Sequence, residues 1–208
     1  MENTATQPRH KPWKWDPLVR FTHWAFVAAI ILNALVTEEG SIAHIWVGYA
    51  LAAVLALRII WGFAGPHNAR FGAFPPSPRR AVQHVRDIVA NRTTQHTSHN
   101  PLGALMVYAI WGTLMVIIAS GIAMSGLPEM DLAKAASAPS AHYAEAGERE
   151  GGEYGEYGEE GESELLEEAH EIAVNLLYLL IVLHIAGVAF ETRRSGTQII
   201  MAMLPWKR

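Results

Sequence analysis

The stretch Ala169 to Phe190, AHEIAVNLLYLLIVLHIAGVAF, sets two imidazoles, His170 and His184, in a run of membrane-like hydrophobicity. A polar ring in such a run is unfavourable unless something satisfies it, and a hydrogen bond from a neighbouring helix or a metal ion would each do so. The fourteen-residue step between them is nearly four helical turns, since steps of ~100° bring the second ring to within ~40° of the first. Both rings therefore leave the helix on nearly one face. They stand ~21 Å apart along the axis of a segment crossing a ~30 Å hydrocarbon core, so each belongs near a different membrane surface. A lone histidine here is as often a helix contact as a ligand, whereas two at this spacing favour ligation. Ligation then requires histidines from other helices at matching depths.

Two such histidines are present. His23, in VRFTHW, lies just inside the start of the first apolar run, and His44, in HIWVG, opens the second. Taken alone, His23 reads as an interfacial histidine reaching water. Arg58 follows His44 by the same fourteen-residue step, so it shares that face at the depth of His23 and His184. Met106, Met115 and Met124 have thioethers able to ligate iron, but methionine in a spanning helix is far more often packing. His67, His84, His96 and His99 fall in a basic connection and are expected to be solvated or interfacial; His99 abuts the third apolar run.

The elements that must position these groups are four apolar runs, Leu18 to Val36, Ile42 to Ala64, Leu102 to Leu127 and Ala169 to Phe190. Each has the roughly 17 to 25 residues of a spanning helix, and the runs are too continuous for barrel strands. The expected fold class is all-α, an integral membrane four-helix bundle. Pro17 suits a helix start, and Trp13 and Trp15 suit the headgroup region. The third run has no histidine or charge; Gly103, Gly112 and Gly121 would let a neighbour come close, which gives it the role of a wall.

Half of the residues are hydrophobic and the net charge is −4, but the placement of charge says more. Lys and Arg gather in the N-terminal tail (Arg9, Lys11, Lys14, Arg20), the middle connection (Arg70, Arg79, Arg80, Arg86, Arg92) and the C-terminus (Arg193, Arg194, Lys207, Arg208). The other side has only Lys134 and Arg149 among many acids, so the positive-inside rule puts both termini in the cytoplasm. A cleaved signal peptide ending near Ala34 and Val36 is the weaker reading of the first run, because cleavage would discard His23. The domain organisation follows: 1–17 a cytoplasmic tail; 18–127 three membrane helices with a basic cytoplasmic connection at 66–100; 128–168 an acidic, largely disordered periplasmic loop; 169–208 the fourth helix and a basic tail. Within the connection, Ser77 caps and Pro78 starts an amphipathic helix whose Val82, Val85 and Val89 suit the membrane surface. The Gly/Glu/Tyr repeat of the loop has little to bury. It is either a solvated tether or an electrostatic attractor for a basic partner.

With these spans in order, His23 and His184 share the cytoplasmic depth, and His44 and His170 share the outer one. Four ligands become two pairs. Facing imidazoles across a bundle suit an iron porphyrin held from both sides, whereas zinc wants more ligands per site. The chain has no cysteine, so disulfides, iron–sulfur clusters, thiolate zinc and covalent c-type haem are excluded. Two stacked haems would make an electron path across the bilayer. Arg58 has two readings beside them, partner of a haem propionate or a cation snorkelling to the headgroups, the second being commoner.

The runs WDPLVRFTHW, HIWVGYALAAVLALRIIWGFAGPHNARF, HNPLGALMVYAIW and HEIAVNLLYLLIVLHIAGVAFE resemble the bacterial cytochrome b561 family, including the b-type cytochrome subunits of nickel–iron hydrogenases. The resemblance covers most of the chain except the acidic loop. It implies a four-helix protein of the inner membrane with two haem b groups, exchanging electrons with quinone, and by position His23, His44, His170 and His184 match the family's haem ligands. The expected partners are membrane lipid, quinone and a basic periplasmic redox protein such as a c-type cytochrome, with no nucleic acid. Two alternatives share the fold: a superoxide:quinone oxidoreductase, which would need a basic outer funnel where this chain is acidic, and the anchor subunit of a hydrogenase or similar dehydrogenase. A haem-free scaffold is the least favoured reading.

Overall fold

The computed structural model describes residues 15–90, 101–126 and 156–204. Those residues are helical, without a strand among them: α1 (Pro17–Leu35), α2 (Ile42–Ala64), two short 3-10 turns (His67–Ala69 and Phe71–Ala73), α3 (Pro78–Val89), α4 (Pro101–Ser125), α5 (Glu156–Ser195) and α6 (Gln198–Met203). Four of them, α1, α2, α4 and the Ser163–Arg194 part of α5, are long and apolar enough to cross a membrane. The expected spans thus reappear with small shifts at their ends. His96, His99, Leu127, the termini with Trp13, Lys207 and Arg208, and most of the acidic loop, including Lys134 and Arg149, lie outside the described residues.

Local chemistry fixes where α1, α2 and α3 begin. Asp16 caps α1 by accepting from the amides of Leu18 (2.9 Å) and Val19 (3.2 Å), with Pro17 preset for the first turn. Ser41 caps α2 by accepting from the amide of His44 at 3.2 Å, which ties the depth of that histidine to the cap. Ser77 and Pro78 start α3 as expected, with the Ser77 hydroxyl accepting from the Arg80 amide at 3.4 Å. Helix α5 starts at Glu156, ahead of the expected boundary at 169, so part of the expected loop is helical. Its first turns are rich in glutamate, a good helix former whose charge suits a helix N-terminus.

The close pairs are α1 with α2, α2 with α4, α4 with α5 and α3 with α4. A central layer of Phe26, Leu51, Leu55, Leu114 and Leu177 draws one or more residues from each of the four spanning helices. Much of the remaining surface is apolar and outward: Leu35, Ile42, Ile60, Val182 and Ile185 are all exposed. In water that surface would be unfavourable by roughly 25 cal/mol per Å²; in lipid it is the proper outer face.

Both described ends of the chain meet at one end of the bundle, here termed the terminal end. Trp15, Val19, Ala69 and Ala202 form one cluster there. Arg20 Nη1 donates to the Leu204 carbonyl at 3.2 Å and Trp24 Nε1 to that of Met203 at 3.0 Å. The C-terminal segment, read in sequence as a basic tail, therefore folds back as α6. Trp15, expected at the headgroups, is buried beneath it. His84 also departs from the solvated expectation: with Ala81 it is buried on the face of α3 that meets α4, which leaves Val82 and Val85 exposed.

The 3-10 segment is locked by aromatic packing, Phe71 lying 4.9 Å from Phe63, 5.8 Å from Trp111 and 6.2 Å from Tyr108 between ring centres. A Cβ on Gly62 would fall within the Phe71 ring, and the surrounding rings leave Phe71 little room to move. Gly62→Ala is expected to destabilise the protein by about 1–3 kcal/mol, the usual cost of overpacking. Thermal unfolding in detergent measures this; an unchanged midpoint would show that Phe71 swings away freely.

Candidate metal centres

The structure brings the four histidines together in two pairs. His23 of α1 faces His184 of α5 with ring centres 6.4 Å apart and planes tilted by 54°. His44 of α2 faces His170 of α5 at 6.4 Å and 57°. All four rings are half-buried. The first pair lies toward the terminal end and the second toward the far end, with the Phe26–Leu51–Leu55–Leu114–Leu177 layer between them.

The separation has a direct chemical reading. A histidine nitrogen bonds a metal at about 2.0 Å and sits roughly 1.1 Å from its ring centre, so rings opposed across one ion have centres roughly 6.2 Å apart. Both pairs match this, and both are too far apart for a ring-to-ring hydrogen bond. Among the described residues no three His, Asp or Glu side chains converge, so each site offers two imidazoles. That suits a metal whose remaining positions are filled by its own macrocycle, and it falls short of the four ligands of structural zinc. Room is also present: Gly48, one turn beyond His44, has nothing within 4 Å of where a Cβ would stand. His44 Nδ1 is buried and has no hydrogen-bond partner in the structure. These features fit a porphyrin iron held between the rings.

At the far end, the supporting contacts are polar. Asn33 of α1 donates its amide to the His44 carbonyl at 3.3 Å, and Thr37 donates to the Asn33 side-chain oxygen at 3.2 Å. Tyr49 donates to the Gly126 carbonyl and lies 3.4 Å from the Ser125 hydroxyl, joining α2 to the end of α4. Gly126 takes a positive φ of 76°, which ends the helix there at little cost for glycine. The Ser120 hydroxyl of α4 lies 2.9 Å from His170 Nδ1. Gly121 presents its bare backbone to the same ring, a Cβ there falling 3.4 Å from Cε1. The α4 wall therefore takes part in the site through Ser120 and Gly121. Asn33, Ser120 and Gly121 are each legible in sequence only as small or polar residues within apolar runs.

At the terminal end, Arg58 is 3 % exposed, so its guanidinium is held inside the protein and not extended outward. Nη2 donates to the Ala69 carbonyl at 3.3 Å, and the group stacks 4.9 Å over Trp111. Nη1 is buried with no hydrogen-bond partner. Asp16, which accepts from Trp61 Nε1 at 3.1 Å, is its nearby acidic neighbour.

The family model described as prokaryotic cytochrome b561 matches residues 14–206. No curated protein and no solved structure matches the chain significantly.

Gly121 yields a graded test of the far-end site. Gly121→Ala is expected to be tolerated, since its Cβ would make ordinary contact with the His170 ring. Gly121→Val should displace that ring and weaken cofactor retention at the far-end site alone. Low-temperature absorbance of purified protein reads this; equal loss at both sites would contradict the placement.

Proposed function

We propose that this chain, which belongs to the prokaryotic cytochrome b561 family, carries electrons across the bacterial inner membrane between the quinone pool and a periplasmic redox partner. Membership itself makes it a membrane b-type cytochrome of electron transfer. The further reading of two haems, one per histidine pair, is carried by a single observation: two facing imidazole pairs at 6.4 Å, at different levels of one bundle.

Haem b, when bound, supplies a one-electron iron couple. The protein's part is to set its surroundings. His23 with His184, and His44 with His170, would each hold it by two imidazoles, a ligand set that disfavours oxygen binding and suits electron transfer. The central apolar layer of Phe26, Leu51, Leu55, Leu114 and Leu177 would keep water, and with it protons, from passing between the two levels. Arg58 Nη1, buried and without a hydrogen-bond partner, is a cation available to a propionate at the terminal end, where Arg20 Nε is likewise buried and unpartnered. The positive-inside pattern supports a cytoplasmic terminal end, which makes the far end and its acidic segment periplasmic. That charge favours a basic partner such as a c-type cytochrome.

Haem quantification with reduced-minus-oxidised spectra should give a b-type signal and two haems per chain. His44→Ala or His170→Ala should remove the far-end haem and keep the other, while His23→Ala or His184→Ala should do the reverse. Loss of both haems in every variant would contradict the pairing. Reduction by quinol, superoxide consumption with and without quinone, and co-purification with a hydrogenase separate the conduit from the two related activities.

A further inference from the structure

The Ser120 hydroxyl stands at 2.9 Å from His170 Nδ1 and also at 2.8 Å from the Val116 carbonyl and 3.1 Å from that of Ile117. A hydroxyl has one proton and two lone pairs. The carbonyls only accept, so a hydroxyl bonded to either spends its proton there and turns a lone pair toward the imidazole. In that arrangement Nδ1 carries the ring's proton, an assignment that the Ile117 backbone carbonyl, a second hydrogen-bond partner of the His170 ring, also favours. Ser120 is itself buried at 5 % exposure, so water does not compete for that lone pair. The Nδ1–Cε1 edge of the ring also faces α4, where Gly121 approaches Cε1, which leaves Nε2 as the nitrogen turned from that helix.

We infer that Ser120 is a positioning residue for the far-end site, accepting a hydrogen bond from His170 Nδ1–H so that Nε2 is held as an unprotonated ligand aimed toward His44. This rests on the haem reading above and deepens it. A ligating histidine whose other nitrogen donates a hydrogen bond is fixed in tautomer and orientation and made more basic. Greater basicity favours the oxidised iron, so the bond lowers the reduction potential at this level relative to the same site without it. No ring nitrogen of the other three paired histidines has such a hydroxyl contact among the described hydrogen bonds, the Ser41 hydroxyl meeting the backbone amide of His44. The two levels are thereby given different electronic surroundings by one side chain on a helix without a ligand.

The test uses the full chain in detergent, comparing Ser120→Ala and Ser120→Thr with the parent. The alanine variant should raise the midpoint potential of the far-end haem, identified as the one lost in His44→Ala, and weaken haem binding there roughly tenfold or more in haemin titration of the depleted protein. Ser120→Thr keeps the hydroxyl and should restore both. An alanine variant with unchanged potential and affinity at that level, or with its shift at the His23–His184 level, overturns the inference. A separate reading comes from nitrogen-15 NMR of haem-depleted protein, where His170 should be protonated at Nδ1 in the parent and lose that preference in Ser120→Ala. Protonation at Nε2 in the parent overturns the inference even if haem binds, and a parent that binds no haem but shows Nδ1–H defeats the electron-transfer reading while leaving the Ser120 contact in place.

Discussion

An imidazole surrounded by hydrocarbon is unfavourable until its nitrogens have partners, and this bundle holds four of them in two facing pairs at 6.4 Å. That distance is too long for one ring to satisfy the other and matches rings set on opposite sides of one metal ion. The rest of the architecture follows from holding it. Helix α5 carries one ring of each pair, so it must run past α1 at one level and α2 at the other. Helix α4 packs closely along α5 and fixes its position from behind.

The two ends meet this demand by different means. The far end uses hydroxyls and amides: Ser41 at the helix start, Asn33 on the His44 carbonyl, Tyr49 on Gly126, Ser120 on His170. The terminal end uses a knot of aromatic rings around Phe71, with Arg58 enclosed against Trp111 and Ala69 and α6 folded over α1. An enclosed guanidinium is costly unless its hydrogen bonds and charge are answered. The Ala69 carbonyl, the Trp111 face and the nearby Asp16 answer part of them, and the buried, unpartnered Nη1 is where an anionic group would be most favourable. The apolar layer between the ends keeps the two levels separate.

Exposed apolar side chains cover much of the outside of the described spanning helices, so the hydrophobic effect that drives soluble folding is replaced here by transfer into lipid and by close helix contact. The interior contacts that remain are few and specific, and single substitutions at Gly62 or Gly121 bear on particular neighbours, Phe71 and His170.

How much of this was legible in the residues alone depends on the range of the interaction. Spans, the helix starts at Pro17 and at Ser77, and the depth of each histidine are local or periodic properties, written in runs of apolar residues, in single residues at a helix start, and in fourteen-residue steps. The pairing of His23 with His184 and of His44 with His170 followed from those depths, because helices crossing in alternate directions can match rings only that way. The burial of Trp15 and His84, the return of α6 onto α1 and the enclosure of Arg58 were not legible, since each depends on which residues of distant segments meet. The same holds for Ser120: a serine in an apolar helix ordinarily returns its proton to its own backbone, and only the packing of α4 on α5 turns its lone pair toward an imidazole fifty residues away.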